Sequence, residues 1–188
     1  MQRYDNYKDS GVEWLGEVPS NRLLKKSKYI WKEINDRSIH GDEELLSVSQ
    51  YSGIVPRADE SRSESLDDYK KCYQNDLVVN IMLAWMGGLG ITKYAGIVSP
   101  AYCVYRQIES HNPKFLGYLY RTPAYLAEFA RRSKGIVPSR WRMYTAVFTQ
   151  RLDYAVLSII EVMQSSGICG VADVRSRKER QFGSNHSA

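Results

Sequence analysis

Hydrophobic positions fall into short runs separated by polar or glycine-rich breaks, at spacings that mix the strand period with the helix period. Trp14, Leu15 and Val18 form an apolar entry strip closed by Pro19. Residues 23–34 (LLKKSKYIWKEI) place Leu, Tyr and Ile at both spacings and so specify neither type. Residues 45–50 (LLSVSQ) alternate as a strand does, until Gly53 and Pro56 break the pattern. Residues 57–71 then carry nine charges in fifteen positions, which predicts a solvated loop followed by a short helix over 65–71.

The strongest pattern lies in the middle of the chain. Residues 77–81 are rich in β-branched side chains and predict a strand, Gly87, Gly88 and Gly90 predict a tight reversal, and 96–99 and 101–106 predict further strands. The sheet core is expected here. Residues 115–120 and 122–132 predict helices, the second with Thr122 as N-cap and Pro123 at the first helical position, where its missing N–H costs nothing. Leu126 and Phe129, with Ala130 alongside, give that helix a buried face, and Gly135 is its expected stop. Beyond Asp153 the run AVLSIIEVM suits a strand or a short helix, and 175–188 has the polar composition of a disordered tail.

Composition narrows the classes. A chain of 188 residues with 43% hydrophobic and 12% aromatic content can bury one substantial core, which predicts one domain over 1–150 and a C-terminal segment, partly disordered, over 151–188. A formal charge of +5 and a sequence pI near 9.0 suit a polyanionic partner, because Lys and Arg replace counterions condensed on phosphates. Cys72, Cys103 and Cys169 are isolated, without a Cys-x-x-Cys pair or a nearby His, and read as reduced structural thiols. The longest uncharged run, 77–92, is 16 residues with three glycines, short of the roughly 20 apolar residues of a membrane-spanning helix. With no secretory signal pattern either, a soluble cytoplasmic chain that contacts no membrane is expected.

Three blocks carry a family resemblance: YKDSGVEWLGEVP at 7–19, NDLVVNIMLAWMGGLGITKYAGIVSPAYCVYR at 75–106, and YLYRTPAYLAEFARRSKGIVPSRWR at 118–142. In this order they resemble the target recognition domain of type I restriction-modification specificity subunits. The resemblance covers roughly 7–148 and implies an α+β fold, a curved mixed β-sheet with flanking helices, that recognises double-stranded DNA. It further implies a modification (methyltransferase) subunit and a restriction (motor and nuclease) subunit as partners. S-adenosylmethionine, ATP and Mg would then belong to those partners and no cofactor to this chain. The family's Pro-Pro-Leu segment and long spacer helix have no visible counterpart after Phe148, and one recognition half stands where a full-length member has two. Pairing of two copies as a homodimer is compatible with this.

Two sets of residues are candidates for DNA contact. Lys93 and Tyr94 follow the glycine-rich reversal, where an aromatic and basic loop between strands can reach a groove or a phosphate. Trp85 and Asn80 flank the same reversal and read as core and strand-edge residues. The denser set is Arg121, Arg131, Arg132, Lys134, Arg140 and Arg142, opposed over 121–142 by Glu128 alone. Arg131 and Arg132 also suit a helix C-terminus, whereas Lys134, Arg140 and Arg142 lie beyond the helix, where phosphate binding is the better account. Arg22, Lys25, Lys26, Lys28, Lys32 and Arg37, against Glu33 and Asp36, are spaced too irregularly to define a face and read as ordinary solvated surface.

Catalytic patterns are weak. His40, His111 and His186 are scattered, and Gly87-Gly88-Leu89-Gly90 is followed by no Gly-Lys-Ser/Thr. Neither a glycine-rich cofactor turn nor an Asn/Asp-Pro-Pro-Tyr motif occurs, so a DNA-recognition subunit without its own catalytic site is expected. Two alternatives stay open. One is a truncated specificity half that acts only as an interaction scaffold. The other is a Mg-dependent nuclease built on Asp59 and Asp68-Tyr69-Lys70, where two carboxylates would hold the ion.

Overall fold

The computed structural model describes residues 4–57, 66–135 and 142–143, together with the backbone of a strand at 155–158. Its centre is a four-stranded antiparallel sheet of β4 (Trp31–Ile34), β11 (Tyr102–Gln107), β8 (Leu77–Asn80) and β9 (Leu89–Ile91), in that spatial order. One register row runs Glu33, Tyr105, Leu77, Ile91 across the four strands.

Every residue of β8 is buried, because the sheet is covered on both faces. The period of two divides its side chains: Leu77 and Val79 join one cluster with Cys103, Tyr105 and Leu89, while Val78 joins another with Val104. The first cluster is roofed by α1 (Pro113–Leu119) and α2 (Pro123–Arg132) through Leu116, Tyr120, Tyr125 and Phe129. The second is closed by Leu46 and Ile54 of the hairpin β5 (Leu46–Ser49) and β6 (Gly53–Pro56), and by Cys72 and Val98 of the pair β7 (Lys70–Cys72) and β10 (Gly96–Val98). Helices, sheet and hairpins thus form three layers, and the α+β expectation is met. Pairing is antiparallel in all named strands, with a parallel bridge between Leu45 and Ile97.

The entry segment is the hairpin β1 (Tyr7–Asp9) and β2 (Glu17–Pro19). Its loop places Trp14 edge-on against Tyr125 of α2, ring centroids 5.0 Å apart at 85°, and Val18 is buried. A buried hydrogen bond from Trp31 Nε1 to the Tyr120 hydroxyl, 2.8 Å, ties the first residue of β4 to the end of α1. The glycine-rich reversal is a 3₁₀ turn at Ala84–Met86 that Gly87 terminates at φ 86°, a left-handed conformation suited to glycine. Gly88 serves by its missing side chain, since a Cβ there would lie 2.6 Å from Leu83 Cβ.

The structure departs from the local sequence patterns at some points and decides between open alternatives at others. No helix forms over the described part of 65–71: Asp68 adopts φ 68°, and Lys70–Cys72 is a strand, because pairing with β10 outweighs local helix propensity. Thr122 occupies the N-cap of α2, but its hydroxyl donates to Leu119 O instead of accepting from the helix. The capping side chain is Asn112, whose Oδ1 accepts from Phe115 N at 3.1 Å and starts α1 at Pro113. Helix α2 ends at Arg132 with Ser133 as C-cap, before Gly135 is reached. The ambiguous 23–34 segment divides into β3 (Arg22–Lys25), a 3₁₀ turn at Ser27–Tyr29 and β4. Beyond 150, the strand β12 (Ala155–Ser158) pairs antiparallel with β3. The expected tail at 175–188, Cys169 and His186 lie outside the described residues.

Candidate nucleic-acid interface

The antiparallel order of the central sheet sorts the candidate residues to its two ends. Lys93 and Tyr94 follow β9 and lie at the end where β8 begins, since Asn75 N donates to Thr92 O and Thr92 N to Asp76 O, each at 2.9 Å. Lys134 and Arg142 are bridged to each other by two backbone hydrogen bonds, and Met143 N donates to Ile81 O, just past the end of β8. The run from Asp76 to Ile81 separates the two ends by about 17 Å at strand rise.

At the Lys134 end the densest basic sequence is tied into the fold. Glu128 is buried on α2, and its carboxylate accepts from Arg131 Nε at 2.7 Å, from Arg131 Nη2 at 2.9 Å and from Arg132 Nε. Burial by itself would raise the Glu128 carboxyl, but the hydrogen bonds from Arg131 and Arg132 outweigh it and hold it below its ordinary range. Arg132 is largely enclosed, whereas the side chain of Arg131 remains 64% exposed and keeps N–H groups facing solvent. Arg121 stands apart at the junction of α1 and α2, where its guanidinium donates to Gln50 O and clamps the β5–β6 hairpin. Lys134 is exposed and forms no ion pair among the described residues, Arg142 is half-buried, and Arg140 lies outside the described residues.

At the Lys93 end the sheet terminates in an ion pair that the sequence pattern does not disclose. Asp76 is buried and accepts from Arg106 Nε at 2.9 Å and Nη2 at 2.8 Å, a two-pronged contact. The guanidinium also lies over the Tyr73 ring, 5.0 Å from its centroid. Arg106 sits within the 75–106 block, but only the register placing it opposite Lys32 reveals its neighbours. Lys93 and Tyr94 project beyond, with Tyr94 pinned through Thr92, whose hydroxyl accepts from Tyr94 N and donates to Tyr94 O.

Trp85 and Asn80 do structural work. Trp85 Nε1 donates to Met82 O at 3.1 Å, and buried Asn80 accepts from Met82 N at 3.0 Å. Cys72 is enclosed, and burial, with Asp76 nearby, pushes its thiol up to about 12. Of the nuclease set, Lys70 is buried with its Nζ on Tyr102 O at 2.7 Å, Asp68 is paired with Arg37, and Asp59 lies outside the described residues. Among the described residues no group of three or more His, Cys, Asp or Glu side chains could hold a metal, and no helix is long and apolar enough to cross a membrane.

No family model matches the chain, and no curated protein matches it. Among solved structures it is similar to the crystal structure of the HsdS subunit from Thermoanaerobacter tengcongensis, with a TM-score of 0.45 and 10% sequence identity over 85% of this chain. The chain spans 37% of that subunit's length.

Proposed function

We propose that this chain is a DNA-recognition module of the kind found in type I restriction-modification specificity subunits, holding duplex DNA in register for methylation and cleavage by partner subunits. The observation that carries this is the convergence of the three resembling sequence blocks on one core. The entry hairpin packs Trp14 on α2, the 75–106 block supplies three of the four central strands, and the 118–142 block supplies α2 and the Lys134 bridge that docks on Ile81. Exposed cations at both ends of that core, Lys93 and Lys134, support a polyanionic ligand. Methyl transfer with S-adenosylmethionine and ATP-driven cleavage belong, in this account, to the modification and restriction subunits.

Fluorescence anisotropy with a labelled random duplex tests the reading. The expected dissociation constant of the isolated chain is on the order of 10⁻⁴ to 10⁻⁶ M, weakening steadily as salt rises. Absence of binding, or binding indifferent to salt, would contradict it.

One observation favours the second reading, a specificity half that does not assemble. Residues 155–158, where a spacer helix would follow, form a strand on β3 of the same chain. On this second reading, mixing the chain with a modification subunit and S-adenosylmethionine yields no site-specific methylation, whereas the first reading expects it. Robust methyl incorporation into DNA would overturn the second reading.

A further inference from the structure

The basic residues near the N-terminus, which sequence spacing left as ordinary surface, separate in the fold into two groups. Arg22, Lys25 and Arg37 are engaged within the domain: Arg22 with the Tyr4 hydroxyl and the Phe115 ring, Lys25 with Glu109, and Arg37 with Asp68. Lys26, Lys28 and Lys32 are exposed and form no ion pair among the described residues. Lys32 lies opposite Arg106 in the register, and Lys28 stands in the 3₁₀ turn immediately before β4, its Nζ 4.8 Å from the Tyr29 ring centroid. Both therefore share the sheet end that carries Lys93 and Tyr94.

From these placements we infer that the Lys93 end of the sheet is a contact surface for the phosphate backbone of duplex DNA, with Lys28 and Lys32 on one side and Lys93 on the other. The inference rests on the DNA-recognition reading and assigns it a surface. Its chemistry is an excess of positive charge. Of the carboxylates nearby, Asp76 pairs with Arg106 and Glu109 with Lys25, Asp36 lies beside Lys71 and Arg106, and Glu33, next to Lys32 in the chain, alternates to the other face of β4.

Three lysines thus face solvent among three tyrosines, Tyr29, Tyr73 and Tyr94, which are 52%, 45% and 38% exposed. Phosphate oxygens accept from ammonium and phenol donors alike. Strand β4 stands three spacings from β9, about 14 Å, close to the roughly 12 Å width of the major groove. The two lysine groups can therefore reach phosphates on opposite banks of one groove. The Asp76–Arg106–Tyr73 stack between them is already paired in the absence of DNA.

Charge-reversal variants of the full chain test the assignment by anisotropy with the random duplex. Lys28→Glu with Lys32→Glu is expected to weaken binding about tenfold at low salt and to reduce the slope of log affinity against log salt by about 1.8, two phosphate contacts at roughly 0.9 each. Lys28→Arg with Lys32→Arg is expected to bind as the parent does. Lys28→Gln with Lys32→Gln keeps the test informative if the reversed pair melts early, and is expected to show the same loss of slope. If the parent binds with salt dependence and both neutral and reversed pairs bind equally well, this surface is wrong while the DNA reading stands. If the parent shows no salt-dependent binding, both fall together.

Discussion

The two ends of the central sheet look alike in composition and differ in what their charges do. At the Lys134 end, Arg131 and Arg132 converge on the buried Glu128, and Arg121 is bonded to the Gln50 carbonyl. Those arginines hold α2 and the β5–β6 hairpin in place. At the Lys93 end, one arginine is neutralised by Asp76, and Lys28, Lys32 and Lys93 remain exposed without a described ion-pair partner. A dense basic sequence therefore does not measure how many cations stand free, because the buried Glu128 offsets one of the two arginine charges and orders both guanidinium groups. Surface ion pairs contribute little to stability, but a buried carboxylate left without its donors is costly.

The largest expected effect falls at the structural end. Gly88→Val should destabilise the domain by about 3 kcal/mol, the upper range for overpacking, since its Cβ would meet Leu83 Cβ at 2.6 Å and Leu83 O at 2.9 Å. Chemical denaturation checks it. An unchanged midpoint would mean that this reversal is a loose display loop, and the contrast between the ends would collapse.

Next comes Glu128→Gln, which removes the carboxylate that both arginines grip and should cost about 2 kcal/mol near neutral pH, the range for hydrogen bonds to charged groups. The sign with pH follows from the lowered carboxyl. Its contribution is full above the ordinary carboxylate value of 4.5 and is lost as pH falls through the depressed folded value. The stability gap between the parent and Glu128→Gln should therefore narrow in acid. A gap that widened as pH fell would show that Arg131 and Arg132 do not stabilise the ionised form.

Smallest in stability are Lys93→Ala and Lys134→Ala, each expected within about 0.5 kcal/mol of the parent, because exposed side chains away from special backbone seldom matter more. Each should still weaken binding to random duplex DNA by a few fold. A large fall in melting temperature at unchanged DNA affinity would recast either lysine as structural.

Much of this architecture is legible in the amino-acid sequence. The β-branched run at 77–80, the glycine reversal and the amphipathic α2 come from local patterns that the fold preserves. What was hidden depends on register and on long-range pairing. Where a helix is expected over 65–71, Lys70 and Lys71 instead join the strand Lys70–Cys72, because its partner lies at Gly96–Val98, remote in sequence. Asn112 caps α1 from outside the apolar run that starts at Phe115, so the hydrophobic pattern alone does not mark it. The meeting of Lys32 with Arg106 across β4 and β11, 74 positions apart along the chain, follows from pairing that no local spacing encodes. Neither could spacing separate Arg131 and Arg132, bound to Glu128, from the exposed Lys134 two residues later.

The central claim, that the Lys93 end faces DNA, is tested most directly by lysine reactivity. Brief acetylation of the full chain with and without excess random duplex at low salt, read by peptide mass spectrometry, reports each lysine separately. The account predicts that Lys28, Lys32 and Lys93 lose reactivity when DNA is present and regain it as salt is raised, while the exposed Lys8, on the entry hairpin, stays unchanged. Equal reactivity of Lys28, Lys32 and Lys93 with and without DNA, under conditions where anisotropy shows the duplex bound, would contradict it.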